Sequence, residues 1–177
     1  MSSRPAGRLR LVVTAGPTRE HIDPVRYLSN ESSGLMGFAI AAEGAKAGHQ
    51  VTLITGPVSL ATPDGVRRVD VISARDMLAA VEQAFREADV LFMAAAVADF
   101  RPRHRLERKW KVKEQGDRAH QLELVENPDV LASVAAEKGE RRVVAFDQVG
   151  FQRRAAFGVP VCDFHGGYAP VCRISSW

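Results

Sequence analysis

Short apolar runs recur along this chain, and stretches of helical pattern separate most of them. Leu9–Thr14 (LRLVVT), Gln50–Thr55 (QVTLIT), Asp89–Ala96 (DVLFMAAA) and Val143–Phe146 (VVAF) are strand-length and carry few or no charges. Apolar runs of this kind fit parallel strands covered on both faces. Val69–Val71 adds a short third strand in chain order. Between them, Leu35–Ala47 is Ala-rich, with Leu35, Phe38 and Ala42 expected on its buried face and Gly48 at its C-terminal turn. Ser32, Ser33 and Gly34 stand where that helix should be capped. A second helix begins after Ser73, which forms a capping pattern with Asp76, and turns Met77, Val81, Ala84 and Phe85 inward. Asn127-Pro128-Asp129 opens a third, expected to run to about Lys138 and to end at Gly139. Gln121–Val125 alternates weakly and is a further candidate strand. Strands alternating with helices imply an α/β fold, a mainly parallel sheet with helices on both faces. Right-handed crossovers then bring every strand's carboxyl end to one edge. Ala15–Asn30, Gly56–Ser59, Ala94–Phe100 and Phe146 should all meet there.

The stretch between the first strand and the first helix, Thr14–Gly37 (TAGPTREHIDPVRYLSNESSGLMG), is dense in turn residues and small hydroxyls. A loop in that position, leading into a helix with free N–H groups, suits a phosphorylated ligand. Its AGPT opening is not the G-x-G-x-x-G pattern, which argues against a nicotinamide-dependent reductase.

A chain of 177 residues can bury one real core, so residues 9–147 are read as a single domain. Residues 1–8 are read as a disordered leader, with no apolar stretch of a secretory signal. No apolar run approaches the roughly 20 residues of a membrane span, and a cytoplasmic protein is expected. Two cysteines, Cys162 and Cys172, are too few for a disulfide framework. With His165 they form only an irregular set of soft ligands, so no metal site is assigned. The net charge of +3 is concentrated: residues 101–118 alone hold eight Lys/Arg against three Asp/Glu, and the remainder is slightly acidic. One basic loop points to a local anion partner and away from a generic nucleic-acid surface.

TAGPTREHIDPVRYLSNESSGLMGFAIA, ITGPVSL, AAAVADF and ENPDVLASVA occur in that order. Over about residues 9–146 they resemble the phosphopantothenoylcysteine synthetase (phosphopantothenate–cysteine ligase) domain, the C-terminal half of a bacterial bifunctional protein of coenzyme A biosynthesis. The resemblance implies a Rossmann-like three-layer αβα fold, a homodimer, CTP as nucleotide and Mg²⁺. The implied reaction activates 4′-phosphopantothenate as an acyl-cytidylate and then transfers the acyl group to the amine of cysteine. Asn30 matches the asparagine that holds the intermediate; its structural alternative is a helix-entry cap. Arg26 matches the motif arginine and can grip a phosphate or carboxylate, or else form a surface ion pair. Gly34 and Gly37 allow close approach of substrate, or simply of the helix. Met93, Ala94, Ala95 and Asp99 match the block at the nucleotide, although Asp99 taken alone could be a cap. Lys109 matches the lysine that meets the triphosphate, with Lys111 and Lys113 as alternatives in register and a solvated charge run as the bland reading. Pro128, Asp129, Val130 and Leu131 match the segment at the nucleotide, and Phe146 the aromatic against the base.

The flavin-dependent decarboxylase half of such proteins is absent from the sequence, so association with a separate phosphopantothenoylcysteine decarboxylase is a possible partnership. The likeness ends near Phe146, and residues 148–177 keep neither a helical nor a strand period. The C-terminal part is therefore expected to be truncated or altered, as a frameshift would leave it. A catalytically inactive nucleotide-binding domain is the principal alternative function.

Overall fold

The computed structural model describes residues 7–111, 121–135 and 143–146. The central element is β1 (Arg10–Ala15), buried from Leu11 onward. It pairs in parallel with β4 (Gln50–Thr55) on one side and β6 (Val90–Met93) on the other. The outer strands, β5 (Val66–Asp70) and β9 (Val143–Phe146), complete a five-stranded parallel sheet in the order β5-β4-β1-β6-β9. In chain order its strands are therefore third, second, first, fourth and fifth. The third strand is longer than the sequence suggested and starts earlier, at Val66. Its charged, half-exposed residues suit a sheet edge, and the same charges hid it from a search for apolar runs.

Two apolar clusters fill the two faces. On one, α1 (Leu35–Lys46) lays Phe38 and Ala41 on Leu11, Val13, Ala15, Val51 and Leu53. On the other, α2 (Ala74–Phe85) and α3 (Val130–Ala135) lay Met77, Val81, Phe85, Val130 and Val134 on Val12, Ile54 and Leu91. Alternate residues of β1 and β4 thus serve opposite layers, as the period of a strand requires. The Rossmann-like three-layer fold expected from the sequence is present.

The helix details correct the sequence reading at three points. In α1 the buried residues are Gly37, Phe38 and Ala41, while Leu35 is 62% exposed. Its cap is Gly34 in the left-handed region at φ 77°, without a side-chain capping bond. At the start of α3 the cap is Asp129, whose Oδ1 accepts from the Ala132 N–H at 2.9 Å, so Pro128 precedes the helix and is not in its first turn. Ser73 and Asp76 do form the expected reciprocal box at the start of α2.

Two small hairpins stand outside the main sheet. β2 (Arg19–His21) pairs antiparallel with β3 (Tyr27–Ser29), so the first loop carries its own secondary structure. β7 (Phe100–Pro102) pairs antiparallel with β8 (Leu124–Glu126), which places the weakly alternating segment in a side ribbon. Residues 112–120, including Lys113, and the tail with Cys162, His165 and Cys172 lie outside the described residues. Among the described residues, no helix is long and apolar enough to cross a membrane.

Candidate functional site

Strand order locates the site. From β1 the chain winds outward through α1 to β4 and β5, then returns through α2 to β6 on the far side of β1. The direction of winding reverses between β1 and β6, and the loops leaving their carboxyl ends border the crevice where such sheets bind ligands.

Those two loops are fastened together. The Ala96 N–H donates to the Gly16 carbonyl at 2.9 Å, and the Thr18 N–H to the Ala96 carbonyl at 3.3 Å. Two buried threonines add side-chain acceptors: Thr14 Oγ1 takes the Ala95 N–H at 3.2 Å and Thr18 Oγ1 the Ala98 N–H at 2.9 Å. Asn30 then reaches across, its Nδ2 donating to the Val97 carbonyl at 3.0 Å and lying 3.5 Å from the Ala96 carbonyl. Its side-chain oxygen has no hydrogen-bond partner among the described residues and stands in an exposed position. Asn30 is therefore a bridge with a free acceptor and not a helix-entry cap.

The glycines act mainly through backbone approach. A Cβ at Gly37 would lie 2.5 Å from Ala15 Cβ and 2.8 Å from the Thr14 carbonyl oxygen, so its lack of a side chain lets α1 sit on the end of β1. Gly34 has both a positive φ and the backbone of Gly16 within 3.3 Å of a would-be Cβ. Ser32 Oγ accepts from the Gly34 N–H at 3.3 Å and Ser33 Oγ from the Leu35 N–H at 3.4 Å, which leaves the next N–H groups of the first turn of α1 without a capping side chain.

Arg26 is committed elsewhere. Its Nε lies 3.2 Å from Asp23 Oδ2, and its Nη2 donates to the Trp110 carbonyl. Asp23 is fully buried. Its Oδ1 accepts from the Val25 and Arg26 N–H groups, each at 2.8 Å, and its Oδ2 from the Trp110 N–H at 3.1 Å. Burial alone would raise the carboxyl pKa. The N–H groups of Val25, Trp110 and Arg26, with the Arg26 charge, outweigh it and hold the carboxyl below its ordinary value. Lys109 and Lys111 flank the anchored Trp110, and both are exposed.

On the β6 side, Met93 and Ala95 pack against the core beneath α2, which leaves mainly their backbone for a ligand. Ala94 is half-buried, its N–H tied to the Thr14 carbonyl at 3.3 Å. Asp99 is exposed, with a carboxylate that has no partner among the described residues. Its carbonyl accepts from the Asn127 N–H at 2.7 Å, and Asn127 Nδ2 donates to the Ala98 carbonyl at 2.8 Å. Asn127 thereby brings the Pro128–Leu131 segment beside Asp99. Within that segment Asp129 caps α3 and Val130 is buried in the core. Phe146 ends β9 opposite Met93, and its side chain lies outside the described residues.

Asp23, Asn127, Thr14 and Thr18 are the residues that sequence reasoning did not assign. Asp23-Pro24 is a recognisable Asx-turn signal, but nothing local reveals that the carboxylate grips a residue 87 positions away. Among the described residues no group of three His, Cys, Asp or Glu could hold a metal. A Mg²⁺ carried largely by substrate phosphates needs only one or two carboxylates, and Asp99 is an exposed one at this edge.

A doubly wound sheet whose crevice is bordered by strand-end loops defines the broad class of Rossmann-like α/β proteins, in which ligands bind at the topological switch point. Residues 7–152 match the family described as the DNA/pantothenate metabolism flavoprotein C-terminal domain, and the chain belongs to that family. It is 49% identical over 145 residues to the coenzyme A biosynthesis bifunctional protein CoaBC of Escherichia coli K12, a match covering 81% of this chain and 34% of that protein. CoaBC of Vibrio cholerae is 50% identical over 127 residues, covering 72% and 32% respectively. The crystal structure of a CoaBC C-terminal domain superposes with a TM-score of 0.66 at 40% identity, covering 78% of this chain and 63% of that one. The resemblance to the phosphopantothenoylcysteine synthetase domain is thus borne out. The chain spans about a third of the length of the curated relatives it matches.

Proposed function

We propose that this chain is a phosphopantothenate–cysteine ligase of coenzyme A biosynthesis, using CTP. The carboxylate of 4′-phosphopantothenate attacks the α-phosphorus of CTP, and diphosphate leaves. The amine of cysteine then attacks the acyl carbon of the acyl-cytidylate. The acyl C–O bond breaks, CMP departs, and the nitrogen loses a proton as the amide forms. Asn30 carries this reading: its donor is fixed on the Val97 carbonyl while its acceptor stays free, where the β1 loop meets the β6 loop. A neutral amide can orient an anionic intermediate without repelling it.

Lys109 would stabilise charge developing on the departing diphosphate, with Lys111 two positions along the same segment. Asp99, the backbone of Ala94 and Ala95, the Pro128–Leu131 segment and Phe146 would receive the nucleotide. The first turn of α1, with the Ser32 and Ser33 hydroxyls beside it, is suited to the phosphate of phosphopantothenate. Mg²⁺ would neutralise the triphosphate. Homodimerisation, a cytoplasmic location and association with a phosphopantothenoylcysteine decarboxylase belong to the same proposal.

The test is diphosphate release with phosphopantothenate and CTP or ATP, with and without cysteine. Release with CTP, and product amide only when cysteine is added, is the expected result. CTP binding without release would instead favour the inactive nucleotide-binding domain, and binding of NADPH would favour a reductase.

A further inference from the structure

We infer that Asp23 is a positioning residue that fixes the basic segment, and with it Lys109 and Lys111, to the hairpin leading into Asn30. This rests on the proposed ligase reading, in which one of those lysines meets the nucleotide phosphates. The observation is a two-handed hold on the backbone of one residue. Asp23 accepts the Trp110 N–H at 3.1 Å, and Arg26, paired with Asp23 at 3.2 Å, donates to the Trp110 carbonyl. A second tie lies nearby, where the Leu106 N–H donates to the Ile22 carbonyl at 2.8 Å. Trp110 belongs to no strand, so two side chains supply the pairing that a neighbouring strand would otherwise give.

Such a hold is needed here. A stretch with eight Lys/Arg repels itself and has no apolar period with which to order itself. Asp23 and Arg26 neutralise each other, so the clamp adds no net charge and leaves the positive potential of Lys109 and Lys111 intact. Arg26 opens a run of only four residues to Asn30, about 13 Å at full extension. The clamp therefore links the lysine-bearing segment to the acyl side of the site through one short hairpin. It also gives Arg26 a role different from the direct substrate fork that the motif resemblance implied.

Asp23→Asn tests this with little change of shape. The amide oxygen can still accept from the Val25 and Arg26 N–H groups. The new NH₂ would face the Trp110 N–H and the Arg26 guanidinium, donor against donors. In a Trp177→Phe background Trp110 is the remaining tryptophan and reports on the segment. The expected result is red-shifted Trp110 emission, faster tryptic cleavage after Arg108, Lys109 and Lys111, and an unchanged far-UV spectrum. Losing a charge-assisted bond should lower kcat for diphosphate release about ten-fold or more, with KM for phosphopantothenate less affected. Should Asp23→Asn not fold, Arg26→Gln removes the guanidinium bond to the Trp110 carbonyl while sparing the buried carboxylate, and the same readouts apply. Wild-type emission and cleavage rates in the folded variants would overturn the inference. So would a loosened segment with undiminished kcat. If the wild-type chain releases no diphosphate, the ligase reading fails separately. Inorganic diphosphate then replaces substrate as probe: protection of Lys109 and Lys111 from trypsin that disappears in Asp23→Asn supports the positioning role, and equal protection refutes it.

Discussion

Gly56→Ala should be among the most damaging single-methyl additions in the described residues. A Cβ at Gly56 would lie 1.7 Å from the Pro17 carbonyl oxygen and 2.7 Å from its carbon. An ordinary carbon–oxygen contact is about 3.3 Å or longer, so one backbone must retreat by about 1.5 Å. Neither is free to do so. The Gly56 N–H donates to the Ala15 carbonyl at 3.0 Å, and Thr55 Oγ1 donates to the Gly56 carbonyl at 2.9 Å. Pro17 sits in the seam that joins Gly16 and Thr18 to Ala96. Relief would break two or three of these hydrogen bonds, at about 1 kcal/mol each, on top of an overpacking cost of about 1–3 kcal/mol. The expected loss is about 3–6 kcal/mol. At about 2–4 °C per kcal/mol for a chain of this size, Tm should fall by about 6–24 °C.

Gly44→Ala supplies the control. Its Cβ would meet Leu11 Cδ1 at 2.8 Å and Val51 Cγ2 at 3.2 Å, both ends of side chains that can shift. It also gains about 0.8–1.0 kcal/mol of helix propensity, which offsets a similar packing cost. Thermal unfolding followed by far-UV circular dichroism compares the two. A Gly56→Ala melt no lower than that of Gly44→Ala would refute the idea that the seam between the strand-end loops is rigid. The folded fraction of Gly56→Ala at low temperature should still lose diphosphate release, because Thr18 and Ala96 belong to the displaced seam.

Asn30→Asp should cost only about 1 kcal/mol of stability, since the position is exposed and one hydrogen bond is lost, yet reduce acyl-cytidylate formation about ten-fold or more by placing a like charge beside an anion and losing the donor to Val97; unchanged diphosphate release would sink its assigned role. Ser73→Ala removes the acceptor for the Asp76 N–H at 3.2 Å and should cost about 1 kcal/mol, read as a Tm decrease of about 2–4 °C. Asp76 is held below the ordinary carboxyl value chiefly by the Ser73 N–H, against some opposing burial and with further help from the Ser73 hydroxyl and the Ile72 N–H. Its folded pKa is lower than its unfolded one, so its stabilisation is complete above about pH 4 and disappears as pH falls through the lower folded value. Urea unfolding between neutrality and pH 2.5 should therefore show a shallower acid loss for Asp76→Asn than for wild type; parallel curves would contradict the sign.

The sheet was legible because each layer leaves a local mark. Alternation in β1 sends Val12 to one face and Leu11 and Val13 to the other, and apolar runs at β4 and β6 declare strands buried on both sides. β5 was read short because an edge strand needs little apolar surface, and Arg67, Arg68 and Asp70 look like a loop when burial is unknown. The buried face of α1 slipped by a residue or so for a related reason. Gly37 has no side chain to register as apolar, yet it makes the closest approach to β1. The site divided along the same line. Asn30 could be singled out from its motif, because an amide at a loop end has a local rationale. The bonds of Asp23 to Trp110 and of Asn127 to Ala98 join residues 87 and 29 positions apart, and their meaning exists only after the sheet has brought the loops together. Motif matching also names residues without saying which atoms are already engaged. Arg26, Asp129 and Val130 all fall within family blocks, but their side chains are occupied in a clamp, a helix cap and the core. What remains available to a ligand at this edge is narrower than the motifs suggest: the Asn30 oxygen, the exposed Asp99 carboxylate, Lys109 and Lys111, and the backbone of the two joined loops. A site built that way would discriminate its ligands mainly by where the loops hold the backbone, which is why small steric changes at Gly56 should disturb it more than the loss of any one surface charge.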